Sequence, residues 1–147
     1  MTGVYSVDVR VVAPVRGTEV TDRVADAVRN LFPNVSLSHE PGRLVGEAHS
    51  LERFSELLHE QEILDTARRE FERRGDGEGF SFALKKQAAL RGVVNFAVGD
   101  PGELGEIEVH VTVREPDVDT YVDRVAPPTR EGTPVDPDER RRGSGDG

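Results

Sequence analysis

The stretch EIEVHVTVRE at residues 106–115 alternates between apolar and polar side chains along its whole length. Successive side chains of a β-strand point to opposite faces of a sheet, so this alternation predicts a strand with one buried and one solvated face. The buried face would carry Ile107, Val109, Val111 and Val113. Because strands with one solvated face are typical of antiparallel sheets, the stretch predicts a sheet of that kind.

Other stretches repeat this strand pattern. VYSVDVRVVA at residues 4–13 alternates in the same way. The further strand candidates are residues 35–38, 43–48, 80–84 and 94–98. The first two of these flank a Pro41-Gly42 turn and predict a hairpin. Because strands and helices mix without regular alternation, we expect an α+β fold, with a mostly antiparallel sheet and helices packed on one of its faces.

Two stretches have the spacing of amphipathic helices instead. Thr18 is the expected N-cap of the first helix, which should end before Pro33. Ser50 is the expected cap of the second stretch, which runs to Arg74 and contains two apolar stripes. The polar patch HEQE at residues 59–62 separates the stripes. The stretch is therefore either one helix that changes its buried face or two helices that meet at a bend, and the polar patch favours the bend.

The domain expected from these elements spans residues 1–115, and a chain of 147 residues is long enough for one such core. Residues 116–126 form a short amphipathic segment that we expect to dock on it. Residues 127–147 are rich in Pro, Gly, Asp and Arg and have little to bury, so we expect a disordered tail. The chain has neither an apolar run of about 20 residues nor a signal segment, which predicts a cytoplasmic protein without a membrane partner.

The charge balance of the chain is strongly acidic, with 28 Asp and Glu against 19 Lys and Arg and a formal net charge of −9. Among the basic residues only Lys85 and Lys86 are lysines. An acidic surface with almost no lysine is the pattern expected of a halophilic archaeon, although a GC-rich genome would also favour arginine over lysine. A net negative protein attracts phosphate backbones poorly, so any contact with a nucleic acid must be local.

The motifs of known catalytic and metal sites are incomplete in this sequence. There is no cysteine, which excludes disulfides and thiolate ligands. His59-Glu60 begins like the helix motif of zinc proteases, but Ile63 stands where the second histidine belongs. The glycine-rich residues 75–79 lead from a helix into a strand, the reverse of the order in phosphate-binding loops. We therefore expect neither a cofactor nor a metal, and a binding protein rather than an enzyme.

The strongest candidate for a binding surface lies within FSFALKKQAALRGVVNF at residues 80–96. No acidic residue occurs from Gly79 to Gly99. If the phenylalanines of the strand face the core, the lysines emerge at its end, where a short link at residues 85–91 begins. Its cations and amides suit contacts to RNA phosphates, sugars and 2′-hydroxyls, although the alternative is that the lysines only solubilise a turn. The candidate RNA-binding residues are Lys85, Lys86, Gln87, Arg91 and Asn95.

The residues of this link also carry a family resemblance. The run Lys86-Gln87-Ala88-Ala89, followed by Gly92-Val93-Val94-Asn95-Phe96, resembles the motif of an archaeal family of predicted RNA-binding proteins. Residues 31–33 and 63–68 resemble further signatures of that family. The resemblance covers residues 4–115 and implies an α+β domain related in fold to the ribosomal protein that binds 5S ribosomal RNA. It also implies RNA as a partner and a homodimer.

Together these features predict a non-enzymatic RNA-binding module of a halophilic archaeon, which contacts the RNA backbone through residues 85–91. The alternative is a protein–protein interaction module or a dimeric scaffold that binds no nucleic acid. The helical stretch at residues 50–74 carries many acidic side chains, which would repel phosphate groups. The predicted RNA surface is therefore confined to the sheet edge and the link.

Overall fold

A five-stranded antiparallel sheet forms the centre of the protein in a computed structural model, which describes residues 5–98, 105–130 and 133–134. Its strands are β1 (Ser6–Pro14), β2 (Ser36–Glu40), β3 (Arg43–Ala48), β4 (Gly79–Leu84) and β5 (Ile107–Glu115). Across the sheet they are ordered β2-β3-β1-β5-β4, and every neighbouring pair is antiparallel. This arrangement confirms the expected α+β fold.

The register of the central strands β1 and β5 follows from their alternating side chains. Val9 lies opposite Val111, and both are buried in the core. Their neighbours Arg10 and His110 also lie opposite each other, but on the other face, where both are exposed. A shift of one residue would exchange the two faces, so burial of the valines fixes the register.

The helices of the described residues are α1 (Thr21–Leu31), α2 (Glu52–Glu60), α3 (Leu64–Arg73), α4 (Lys86–Ala89) and α5 (Val118–Val125). Helix α1 begins later than the expected cap at Thr18, and no side chain caps its N-terminus. The chain makes a tight turn there first, because the carboxylate of Glu19 accepts the backbone N–H of Arg16 at 2.8 Å.

The long helical stretch is divided into α2 and α3, which confirms the bend that the polar patch predicts. Glu62 has a positive φ of 57° at the junction, a conformation that interrupts a helix. The interruption lets each helix turn its own apolar stripe inward. Phe54 and Leu58 of α2 are buried, and so are Ala67 and Phe71 of α3.

The six phenylalanines form one aromatic cluster between the helices and the sheet. Phe54 of α2 stacks on Phe82 of β4 with ring centroids 5.1 Å apart. Phe71 of α3 lies 4.6 Å from Phe80, also on β4. Phe32 and Phe96 complete the cluster. Aromatic pairs of this kind contribute about 1 kcal/mol each beyond the area that they bury, so the cluster fixes α2 and α3 against β4.

The segment after the link does not form the strand expected at residues 94–98. It makes one isolated bridge, between Phe96 and Leu84 at the end of β4. The side-chain amide of Gln61 donates to the carbonyl of Val94 at 2.9 Å, and its oxygen accepts the Val94 N–H at 2.8 Å. A side chain therefore satisfies the backbone groups of Val94 that a neighbouring strand would otherwise pair.

Helix α5 packs against α2 and β5. Tyr121 and Val122 are buried on its inner side. The hydroxyl of Ser55 donates to the carbonyl of Val125 at 2.7 Å, and the guanidinium of Arg68 pairs with Asp123 at 2.7 Å. These contacts join the helix to α2 and α3.

Beyond α5 a short two-stranded ribbon is formed by β6 (Thr129–Arg130) and β7 (Thr133–Pro134). It lies within the stretch expected to be disordered. The rest of that expectation concerns residues 131–132 and 135–147, which lie outside the described residues. No helix in the part of the chain that the structure describes is both long and apolar enough to cross a membrane.

Candidate nucleic-acid interface

The link begins where β4 ends, at one end of the sheet. The backbone N–H of Lys85 donates to the carbonyl of Asn95 at 2.8 Å, so two of the predicted RNA-binding residues lie side by side. Gly92 turns the chain back toward the sheet with a φ of 72°, which residues with a Cβ rarely adopt. The side chains of Lys85 and Asn95 are both exposed.

Helix α4 gives the link an outer and an inner face. Adjacent residues of a helix lie about 100° apart around its axis, whereas residues three or four apart share a face. Gln87 and Arg91 follow this spacing on the outer side and are exposed. Lys86 and Ala89 follow it on the inner side and are buried. The structure thus brings four of the predicted residues to the surface: Lys85, Gln87, Arg91 and Asn95.

Lys86 is not on the outer surface where it was expected, because its side chain is directed into the protein and is 5% exposed. Its ammonium donates to the carbonyl of Pro14 at 2.7 Å and to both carboxylate oxygens of Glu19 at 3.0 Å. A buried ammonium requires such partners, since removing a charge from water is costly. Lys86 therefore joins α4 to the loop between β1 and α1.

The carboxylate of Glu19 is held in its charged form. Burial alone would raise its pKa, but the hydrogen bond from the Arg16 N–H and the ammonium of Lys86 outweigh this effect and lower the pKa of Glu19 below its usual 4.5. Because the folded state has the lower pKa, the ion pair stabilises the fold above pH 4.5. That stabilisation is lost as the pH falls through the lowered pKa.

Side chains from neighbouring elements hold the rest of the link. The amide of Asn30 on α1 donates to the carbonyls of Ala89 and Leu90 at 3.0 and 3.2 Å, at the end of α4. At its beginning, the carboxylate of Glu106 accepts the backbone N–H of Lys86 at 3.1 Å. The backbone is thus fixed at both ends. Binding a partner therefore does not require this part of the backbone to become ordered first.

Arg16 is a further exposed cation at this end of the sheet, and no sequence pattern marks it. Gly105 precedes β5 with a φ of 70°, and a Cβ at this glycine would lie 2.8 Å from the guanidinium carbon of Arg16. The guanidinium therefore lies over Gly105, next to the Glu106 that bonds α4. Only the pairing of β1 with β5 brings Arg16 to this place, so periodicity along the chain gives no signal for it.

Acidic side chains dominate the helical side of the protein. The exposed carboxylates of α2 and α3 include Glu52, Glu56, Glu60, Asp65 and Glu72. Arg53 pairs with two of them, at 3.1 Å from Glu56 and 3.3 Å from Glu60. The remaining negative charge would repel an approaching phosphate backbone. The end of the sheet that carries the link presents the exposed cations of Arg16, Lys85 and Arg91 instead.

Comparisons with known proteins agree with this fold. A family model described as RNA binding matches residues 8–114. The UPF0201 protein of Methanopyrus kandleri is 39% identical over 133 residues, which cover 80% of this chain and 83% of that protein. The UPF0200/UPF0201 protein of Archaeoglobus fulgidus is 35% identical over 131 residues, covering 88% of this chain but only 40% of that longer relative. A crystal structure of a UPF0201 protein from Methanococcus jannaschii matches with a TM-score of 0.81 at 32% identity, covering 88% of this chain and 99% of that chain.

Proposed function

This chain belongs to the archaeal UPF0201 family and also matches a family model described as RNA binding, and from that premise we propose that it binds RNA without catalysing a reaction. The observation that carries the proposal is the group of exposed donors on the link and at the neighbouring Asn95, in a chain whose net charge is −9. Lys85 and Arg91 supply positive charge there, and Gln87 and Asn95 supply amides.

Each kind of donor has a distinct role in the proposed contact. The cations of Lys85 and Arg91 bind phosphate oxygens, and the arginine can do so through two N–H groups at once. The amides of Gln87 and Asn95 bind sugar and 2′-hydroxyl oxygens, which distinguish RNA from DNA. Contacts of this kind position an RNA without reading its bases. The proposed partner is therefore a structured RNA that is recognised by its backbone.

The proposal places this RNA-binding module in the cytoplasm of a halophilic archaeon. Its support is the net charge of −9 together with the near absence of lysine. The kinship in fold with the ribosomal protein that binds 5S ribosomal RNA is part of the same proposal. In molar salt the gain from releasing counterions on binding is small, so hydrogen bonds and shape must contribute much of the affinity. Binding assays are therefore informative at both low and molar KCl.

Replacing Lys85 or Arg91 with alanine should weaken RNA binding severalfold at low salt. Each change removes one phosphate contact, so the loss should be similar for RNAs of different sequence, and the slope of log affinity against log salt should fall by about one. Fluorescence anisotropy with labelled ribosomal RNA fragments measures both quantities. Arg69→Ala on α3 is the matched control, since it removes an exposed arginine from the acidic helical side.

If Arg69→Ala lowers the RNA affinity as much as the link variants do, binding depends on the net charge of the protein rather than on this surface. Unchanged binding in both link variants would assign the RNA contact elsewhere. A pull-down treated with ribonuclease separates the second candidate function, because a protein partner that survives the treatment would indicate an interaction scaffold.

We also propose a homodimer, which the outer face of the sheet supports. Val12 of β1 and Val45 of β3 lie opposite each other on this face and are half-buried. Charges of both signs surround them, including Arg10 and Glu47, which form the neighbouring pair. A surface with small apolar side chains and charges of both signs can pair with a second copy of itself related by two-fold symmetry.

Val45→Lys should convert this dimer into a monomer, because it would bury a charged side chain within the proposed apolar contact. Light scattering at several protein concentrations measures the change. We expect the dissociation constant of the dimer to rise at least about tenfold. Thr66→Lys adds the same charge to the exposed side of α3 and should leave the dimer intact. A monomeric wild-type protein, or a dimeric Val45→Lys variant, would exclude this interface.

A further inference from the structure

An open cleft of about 1160 Å³ lies on the side of the protein where α2 and α5 meet. Its walls come from three separated parts of the chain, namely Tyr5, residues 49–60 and residues 120–127. No residue of the link lines it. Clefts of this order of size accommodate small organic ligands and parts of larger ones. The cleft is therefore a second candidate site, distinct from the basic surface.

Tyr5 gives this cleft an exposed aromatic ring. The two tyrosines and six phenylalanines of the chain all lie in the described residues, and Tyr5 is the one among them that is exposed, at 38%. Its ring centroid lies 5.6 Å from that of Tyr121, with the rings tilted by 54°. Tyr121 is buried and supports the exposed ring from behind. A ring held in this way can stack against a flat ligand without first becoming ordered.

The cleft is also lined by polar groups of the kind that can bond to the edges of a nucleobase. The Tyr121 hydroxyl accepts the Leu51 N–H at 3.2 Å, and burial raises the pKa of Tyr121 to about 12, so its own proton stays in place and can be donated. His59 Nδ1 lies 2.8 Å from the carbonyl of Ser55. A carbonyl can only accept, so Nδ1 carries a proton, and in the neutral imidazole Nε2 is then an acceptor. The cleft thus offers both a donor and an acceptor.

Ion pairs offset part of the negative charge of the carboxylates that line the cleft. Arg53 pairs with Glu56 and Glu60 at 3.1 and 3.3 Å, and Arg68 pairs with Asp123 at 2.7 Å. Glu52 also lines the cleft, and so does the cation of Arg124. A surface of this composition favours a flat, uncharged ring over a phosphate group. The chemistry of the cleft therefore complements that of the link.

We propose that this cleft binds an unpaired nucleobase stacked on Tyr5, and that the base belongs to a single-stranded part of the RNA. This inference rests on the proposed RNA-binding function and assigns a second contact to it. Base–aromatic stacking is tolerant of sequence and does not depend on counterion release. The cleft supplies affinity that persists in high salt, where the cations of the link contribute least.

The experiment uses the full chain labelled with 3-fluorotyrosine, which places two fluorine nuclei in the protein, both in this cleft. Tyr5→Phe identifies the signal of Tyr5 by its disappearance. Adenosine and a short single-stranded oligoadenylate are then titrated separately into the protein. Each should shift the fluorine NMR resonance of Tyr5. Tyr5→Leu should bind the oligonucleotide about tenfold more weakly, whereas the conservative variant Tyr5→Phe keeps the ring and should stay within about twofold of wild type.

The outcomes separate this inference from the proposed function. If Tyr5→Leu binds the oligonucleotide as tightly as wild type, and no tyrosine signal shifts, the cleft is not a base site although RNA binding stands. If neither the oligonucleotide nor a structured RNA binds any variant, the RNA-binding proposal itself fails. If, in that case, adenosine alone shifts the fluorine resonance of Tyr5, the cleft does bind a base. The proposal that this base belongs to an RNA would then be overturned.

Discussion

Lys86→Met should lower the free energy of unfolding by about 3 kcal/mol, the lower end of the range for breaking a buried ion pair. The lower end applies because Glu19 remains 24% exposed and regains some water when its partner is removed. The carbonyl of Pro14 also loses the donor that now lies 2.7 Å from it. Urea denaturation of the two proteins at neutral pH measures the difference.

The adjacent Lys85 is the matched control for this experiment. Lys85→Met removes the same charge from an exposed position and should change stability by less than about 0.5 kcal/mol. The effect of Lys86→Met should also depend on pH. The pair stabilises the fold only while Glu19 is ionised, so the difference from wild type should shrink as the pH falls below 4.5. Equal effects of the two substitutions, or a difference that grows in acid, would contradict the buried ion pair.

Gly79→Ala should destabilise the fold by more than about 3 kcal/mol, or prevent folding. Gly79 begins β4 opposite Thr112 of β5, and a Cβ at this glycine would overlap the carbonyl oxygen of Val111. That oxygen belongs to a central strand, so it cannot move away without disturbing the sheet. Thermal unfolding followed by circular dichroism measures the loss, and expression in soluble form gives a first indication.

Gly77→Ala is the control for this second prediction, because a Cβ at Gly77 would meet no atom within 4 Å. Gly77 belongs to the same glycine-rich connector, residues 75–79, and its substitution should be nearly neutral for stability. A Gly79→Ala variant as stable as Gly77→Ala would mean that the backbones of β4 and β5 are further apart than in this structure. The pair of variants thus tests the close approach of the strands rather than the flexibility of the connector.

The two neighbouring lysines have separate roles in this structure. Lys86 joins α4 to the β1–α1 loop, and this connection holds the link in the position from which Lys85 and Arg91 face outward. A double substitution of both lysines would therefore combine a loss of stability with any loss of RNA binding. Lys85 alone is the informative position for a binding experiment.

Much of the fold could be predicted from local patterns. The alternation at residues 106–115 and 4–13 indicates the two central strands, because burial of one sheet face imposes a period of two on the sequence. The polar patch at residues 59–62 indicates the break between α2 and α3, since a helix cannot bury two stripes on different sides. The exposure of Lys85, Gln87, Arg91 and Asn95 also follows from such patterns.

The helical spacing of residues 86–91 also indicates that Lys86 is buried. Lys86 and Ala89 are three residues apart, which places the lysine on the buried face of any helix that forms there. Residues 94–98 show the opposite failure, since their sequence alternates like a strand but only one bridge to β4 forms, the side chain of Gln61 bonds the backbone of Val94, and Val98 is exposed. Local patterns indicate which face of an element is buried. They do not identify the elements against which that face packs.

The sequence by itself determined the two central strands, the division of the helical stretch into α2 and α3, and the exposure of four donors in and after the link, because these depend on burial patterns over a few neighbouring residues. Only the tertiary structure decided the role of Lys86, whose partners Glu19 and Pro14 lie 67 and 72 residues away along the chain. It also brought Tyr5, just before β1, into contact with Tyr121 of α5. Such contacts depend on which distant elements pack together, and the hydrophobic periodicity of the sequence does not predict that.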